Sequence, residues 1–198
     1  LAQYDSEKLQ LAVADMIAVS IGDKLSTQRM MVDGVIQDVP SIILAHSMSP
    51  DGKPVTPPPY PFVMLEDTSP VKAADEINQY LDENNNLIRE TTITARVNVK
   101  VFGTVRDKVI NIASELDQSF VIDDYRDMIE DGYEFDCRWI TNSDTITTQA
   151  VISEVYQEVS TFDAYFSITR QHIQENVDTF DTILTDGEIL HIDGTPIQ

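Results

Sequence analysis

Side chains suited to chemistry are few and scattered. His46, His172 and His191 are the only histidines, and they fall on widely separated segments. None has a spacing such as His-Glu-x-x-His, in which one helical turn presents two imidazoles to a zinc ion, so no zinc site is expected. Cys137 is the single cysteine; it can form neither an intramolecular disulfide nor a multi-cysteine metal cage. It alternates with Phe135 and Trp139, which reads as a small residue buried on a strand rather than as a nucleophile. The densest ionisable cluster is DDYRDMIEDG at 123–132. Aligning Gly132 with the glycine of a calcium loop puts Asp127 and Asp131 on ligand positions. Ile129 then occupies a third, and Arg138 stands where the bidentate glutamate belongs. The calcium match fails, leaving a solvated acidic face or a partner contact. GxxxxGK[ST], GxGxxG and GxSxG are absent, and seven glycines in all leave little material for a phosphate-cradling loop. No catalytic residue, metal or cofactor is expected. Paired carboxylates carry no signal in so acidic a chain.

The charge is more informative. Thirty-four acidic residues face 13 basic ones, a formal net charge of -21. Lys and Arg form no basic cluster, which argues against binding nucleic acid by neutralising phosphates. An acidic coat keeping the chain soluble accounts for most individual carboxylates. With 198 residues and 42% apolar content the chain can furnish one core with additional arms. Its longest apolar run, Ile42-Ile43-Leu44-Ala45, is far below the roughly 18 residues of a membrane helix. No secretory-signal pattern is visible at the N-terminus.

The elements that would position these residues follow from periodicity. Residues 6–21 predict a helix, with Leu9, Val13, Met16 or Ile17 and Ser20 on one stripe and Gly22 as its stop. Residues 26–59 lose any pattern and are broken by Gly34, Pro40, Pro50, Gly52, Pro54 and Pro57–Pro59. A connection of this length predicts a functional or partner-binding arm, with a turn at Ser49–Gly52. The triproline predicts a stiff extended approach, Pro61 the start of a strand, and Phe62–Leu65 the first core strand. Ser69-Pro70 predicts a helix start, followed by the stripe Val71, Ala74, Ile77, Leu81 and a stop at Asn84–Asn86. Ile93, Ala95, Val97, Val99 and Val101 alternate with polar neighbours, which predicts a long half-buried strand ending at Gly103. Thr104 and Asp107 suggest a capping box for a helix burying Val105, Val109, Ile112, Ala113 and Leu116. A short acidic helix is expected over 122–130, and a strand from Tyr133 to Trp139. A long strand or strand pair is expected over 151–169. Its apolar parity changes between Val151, Val155, Val159 and Phe162, Ala164, Phe166, Ile168, which predicts a bulge or break. A hairpin turning at Asp186-Gly187 closes the chain.

The expected fold is α+β: a mixed, mainly antiparallel sheet with helices on one face, a long N-terminal arm and a C-terminal hairpin. The expected divisions are an N-terminal helix (1–25), an extended arm (26–59), an α+β core (60–171) and a hairpin extension (172–198).

Four segments in this order carry a resemblance: PPPYPFVMLED, the long strand IRETTITARVNVKVFG, the helix TVRDKVINIASELDQ and the closing strand FDAYFSITRQ. Over roughly Leu9 to Gln171 the chain resembles the phage neck and tail terminator proteins. The arm and the terminal hairpin look like additions to a minimal member. The resemblance implies a virion structural protein assembled in the host cytoplasm, with no enzymatic activity and no cofactor. It implies a ring, usually sixfold, that caps the tail tube and joins it to the head connector. Partners would be copies of itself, tube and sheath proteins, and connector or stopper proteins. DNA would pass through without specific binding, and no membrane is involved. On this reading Ile42, Ile43, Leu44, Pro57, Pro58 and Pro59 belong to an inter-subunit or inter-ring arm. Asp123, Asp124, Asp127, Glu130 and Asp131 would face the DNA channel. Other head-tail adaptors and baseplate components fit the same texture. From other classes, an acidic monomeric binding module and a hydrolase with a non-obvious carboxylate site remain open.

Overall fold

Two very long strands organise the chain, and among the described residues three helices lie on one face of the sheet built around them. The computed structural model describes residues 5–32, 34–45, 57–67, 72–83, 86–133, 137–152, 155–174, 182–185 and 188–191. Helix α1 spans Ser6–Ile21; the Asp5 carboxylate accepts hydrogen bonds from the Glu7 and Lys8 N–H groups, each at 3.1 Å, satisfying donors the first turn leaves open. It ends as expected at Gly22, where a short 3-10 turn, Gly22–Lys24, takes over. Strands β1 (Thr27–Val32) and β2 (Val35–Pro40) follow, then β3 (Ile42–Leu44), β4 (Phe62–Asp67), β5 (Lys72–Leu81) and β6 (Leu87–Gly103). Helices α2 (Arg106–Ser119) and α3 (Asp123–Gly132) come next, then β7 (Cys137–Asn142), β8 (Ile146–Ile152) and β9 (Val155–Gln174). Strands β10 (Thr182–Thr185) and β11 (Glu188–His191) pair antiparallel at the end.

The main sheet runs β3-β4-β6-β9-β7, with β5 pairing further along β6 and β8 further along β9. Only β3–β4 is parallel, so the sheet is mixed and mainly antiparallel, in an α+β fold. The β6–β9 ladder is continuous from Leu87 opposite Gln174 to Gly103 opposite Glu158. Odd residues of β6 from Ile93 to Val101 and even residues of β9 from Phe162 to Ile168 point to the helices. Val97, Val99, Val101, Phe162, Ala164 and Phe166 are buried there with Leu9, Val13 and Ile17 of α1, and Val109 and Leu116 of α2. Phe120 closes this core edge-on to Phe162, with ring centroids 6.0 Å apart. Each buried large side chain contributes about 1.5–3 kcal/mol against chain entropy. Cys137 is buried in the same core, as its alternation with aromatics implies.

Several expectations are corrected. Residues 72–81 form a strand, not the helix that the stripe Val71, Ala74, Ile77, Leu81 predicts. The half of β6 beyond the reach of β4 takes β5 as its partner, and two register shifts between Ala73 and Asn78 disguise the twofold period. The Ser69-Pro70 cap lies outside the described residues. At the expected helix stop a hairpin turns instead: the Asp82 carboxylate accepts from the Asn86 N–H and side-chain amide at 2.8 and 2.9 Å. No capping box forms at Thr104 and Asp107. Helix α2 starts at Arg106 after Val105, with no side-chain cap, and Val105 is exposed. The parity change before Phe162 is no bulge within β9, whose register with β6 never slips. Strand β8 ends at Ile152 and β9 begins at Val155, and Val159 then turns to the opposite face. There it packs with Phe62 and Phe102 in a second apolar cluster behind the sheet. Residues 26–59 hold a hairpin and an edge strand where an unpatterned arm is expected. The turn expected at 49–52, His46 and the Asp186-Gly187 turn lie outside the described residues.

Candidate functional site: assembly surfaces

Helix α3 brings the five acidic candidates together. At about 100° per residue, Asp123, Asp124, Asp127, Glu130 and Asp131 fall within roughly 120° of its circumference. Ile129, the buried residue of the helix, lies on the other side, against the core. Asp123, Asp124, Asp127 and Asp131 are exposed and Glu130 is half-buried. Asp123 and Asp124 also sit in the first turn, where a negative charge complements the helix dipole. Arg126 flanks the stripe, donating to the Asp123 carboxylate, with its guanidinium 5.9 Å from the centre of the Trp139 ring. Gly132 lets the C-terminal end of α3 close on α1; a Cβ there would lie 3.2 Å from Ala12 Cβ.

The six arm candidates are placed differently. Ile42, Ile43 and Leu44 form β3, half-buried at the edge of the main sheet: Ile42 and Leu44 pack on the main core and Ile43 on the second cluster. Pro58 is buried between exposed Pro57 and Pro59, and Pro61 is buried after the cis Tyr60–Pro61 bond. The triproline therefore leads straight into the core. The Pro59 carbonyl accepts from the Ser26 hydroxyl, and the Pro61 carbonyl from the Ser26 N–H at 2.8 Å.

Two surfaces are not foreseen from sequence. The first is the β1–β2 hairpin, a separate two-stranded sheet that turns through Gly34 at φ +79. Near its turn it exposes Met30, Met31, Val35 and Ile36. Asp33-Gly34 between β-prone residues is the available signal. The second is a groove of about 700 Å³ between α2, β7 and the segment leading into β8. Ile110, Val121 and Trp139 give it apolar walls, and Arg106, Asp117 and Asp144 stand around it. A hydrogen-bonded chain fixes its floor: Trp139 Nε1 donates to Asn142 Oδ1 at 2.9 Å, and Asn142 Nδ2 donates to Asp117 Oδ1 at 2.7 Å. Arg106 bonds the buried Glu158 carboxylate at 3.2 Å, whose other oxygen accepts from Gln149 at 2.6 Å. These groups come from distant segments, and no spacing in the sequence announces them.

Among the described residues no group of three or more His, Cys, Asp or Glu side chains could hold a metal ion. His172 and His191 lie on β9 and β11. No described helix is long and apolar enough to cross a membrane. Comparison with curated proteins returns no match. Comparison with protein families does: residues 28–193 match the family described as phage neck terminator protein, and so cover most of the chain. With so much of it matched, the chain belongs to the phage neck terminator proteins, structural components of the virion neck.

Proposed function

We propose that this chain closes into a ring of six copies that ends the tail tube and joins it to the head connector, with the acidic stripe of α3 facing the path of the DNA. Family membership supports the neck position. The observation that carries the channel reading is the gathering of five carboxylates on the solvent side of one helix. Carboxylates on a channel wall repel phosphates within about a Debye length, ~8 Å at physiological salt, so passing DNA meets a surface to which it does not adhere. Exposed edges and an exposed apolar hairpin are hazards for a free subunit, but closure of a ring covers them.

Electron microscopy of the purified protein mixed with tail tubes tests the ring: rings or capped tube ends are expected, and bare tubes beside persistent monomers refute it. The channel reading is tested separately by Asp123→Asn, Asp124→Asn, Asp127→Asn, Glu130→Gln and Asp131→Asn together. Assembly should be unchanged and DNA ejection slower. Unchanged ejection, or a ring reconstruction with α3 on the outer wall, sinks it.

A further inference from the structure

Among the described residues the main sheet has β3, β5, β7 and β8 as its outer strands. Three of them are protected against pairing with another chain. Strand β3 is only three residues long. Strand β5 carries Lys72, Asp75 and Glu76 and shifts register twice, and β7 carries Arg138 and shifts once. Shortness, charge and bulges are the usual means of blunting a sheet edge. Strand β8 has none of them. Its seven residues, ITTQAVI, include no charge, proline or glycine. Its ladder on β9 runs without a shift from Ile146 opposite Thr161 to Ile152 opposite Val155. Ile146 is 59% exposed, and Thr148 and Gln149 are exposed beside it. The backbone groups of β8 that point away from β9 therefore form a row that fits an extended strand.

From this we infer that β8 pairs antiparallel with β8 of a second copy, about a twofold axis through Gln149. Two observations select this occupant. First, the other described strands of a second copy match β8 poorly: β3, β5 and β7 bring a stub, charges or register shifts, β1 and β2 bring Arg29, Asp38 and Pro40, and β10 and β11 have four residues each. Second, β8 is matched to itself, because ITTQAVI reads nearly alike from both ends. The twofold register sets Ile146 opposite Ile152, Thr147 opposite Val151 and Thr148 opposite Ala150, with Gln149 opposite its own mate, so strand-forming residues meet one another. No like charges face each other within the paired strands, which matters between copies that each carry -21. Gln149 donates to Glu158 at 2.6 Å, and its amide has a second hydrogen and a carbonyl oxygen with which to meet the mate's amide. The axis stands perpendicular to the sheet, so the sheet continues across the contact with both helical layers on one side. Such a contact is isologous: it uses both edges in one closed pair. It concerns the free subunit and does not depend on the ring reading.

The test combines sedimentation equilibrium of the full chain with cross-linking specific to this register. A monomer–dimer equilibrium is expected. Thr148→Cys and Ala150→Cys copies, mixed and oxidised, should form a mixed disulfide dimer, because Cα atoms paired across two strands lie within disulfide reach. Each variant alone should link more slowly than the mixture, with buried Cys137 as the common background. Thr148→Glu, checked for folding by circular dichroism, should raise the dimer dissociation constant by at least about tenfold. Monomers at every concentration overturn the inference, as do dimers that Thr148→Glu leaves intact or single variants that link as fast as the mixture. Pairing that needs another virion protein overturns it too and gives the edge to that protein. Rings without the mixed disulfide overturn the β8 contact and leave the ring reading intact. A mixed disulfide dimer that never forms rings supports the contact and counts against the ring reading alone.

Discussion

Gly103, where β6 hands the chain to α2, offers a measurement of how tightly the two layers are joined. A Cβ placed there would lie 2.5 Å from Val109 Cγ2, about 0.9 Å inside ordinary contact, with Pro61 Cβ at 4.0 Å on another side. Val109 is fully buried and cannot swing into solvent. Gly103→Ala should therefore overpack the junction and cost about 1–3 kcal/mol. Val109→Ala removes two methyl groups, about 1.6 kcal/mol of transfer free energy, and leaves a small cavity, for about 2–3 kcal/mol in all. In the double variant the new methyl enters the space vacated by Cγ2. Alanine at 103 also restricts the unfolded chain, which favours the fold by about 0.4–1 kcal/mol. The double variant should then be no less stable than Val109→Ala alone, a coupling of about 1–3 kcal/mol. Urea unfolding with unchanged slope measures this, and each kcal/mol lowers Tm by about 2–4 °C in a domain of this size. Strict additivity, with coupling below about 0.5 kcal/mol, would show that the clash relaxes elsewhere and that the β6–α2 junction is not rigid.

Asp5→Ala should cost about 1 kcal/mol by removing the α1 cap, seen as a lower Tm, while Asp5→Asn should be nearly neutral; equal losses would mean that the carboxylate acts through charge instead. Raising ionic strength from about 0.1 M to about 1 M shortens the Debye length from about 10 Å to about 3 Å. Because every copy carries a formal charge of -21, association measured by light scattering should strengthen; weakening would mean that ion pairs rather than apolar contacts drive it.

What could be read in the sequence depended on whether a segment meets one environment or two. Helix α3 and the Ile93–Val101 part of strand β6 each set one stripe against the core, so their periods are clean, whereas α1 also exposes Leu11 and Val19 and is legible as a helix more by its length and its stop at Gly22. Strand β5 carries Lys, Ala, Glu, Gln and Leu, residues a helix accepts readily. It is a strand because β6 is 17 residues long and its first half pairs with β5. The hairpin hides its alternation in the adjacent pairs Met30-Met31 and Val35-Ile36, since apolar residues on both faces leave no period of two. The five carboxylates of α3 could be named as a group from their run alone. Their common stripe needed only the helix, whereas the groove needed the tertiary fold to bring Arg106, Trp139 and Asp144 together.

The distribution of charge bears on why the chain is so acidic. Behind the sheet, acids and bases are matched: Lys100 bonds Glu66, Arg96 lies 3.7 Å from Asp163, and Asn98 donates to that same carboxylate at 2.7 Å. Around α2, Lys24 bonds Glu115, which holds its ammonium pKa above the ordinary value, and Arg106 bonds Glu158. Among the described residues the five carboxylates of α3 have one flanking arginine, Arg126, bonded to Asp123. A requirement for solubility alone is met by net charge wherever it lies, and gives no reason to match charges on one face and leave them unmatched on another. Like charges crowded on one helix stripe repel at i, i+4 and i, i+3 spacings and so work against the fold. The channel position proposed for α3 gives a reason for keeping such a stripe: a polyanion passing close to it meets repulsion rather than adhesion.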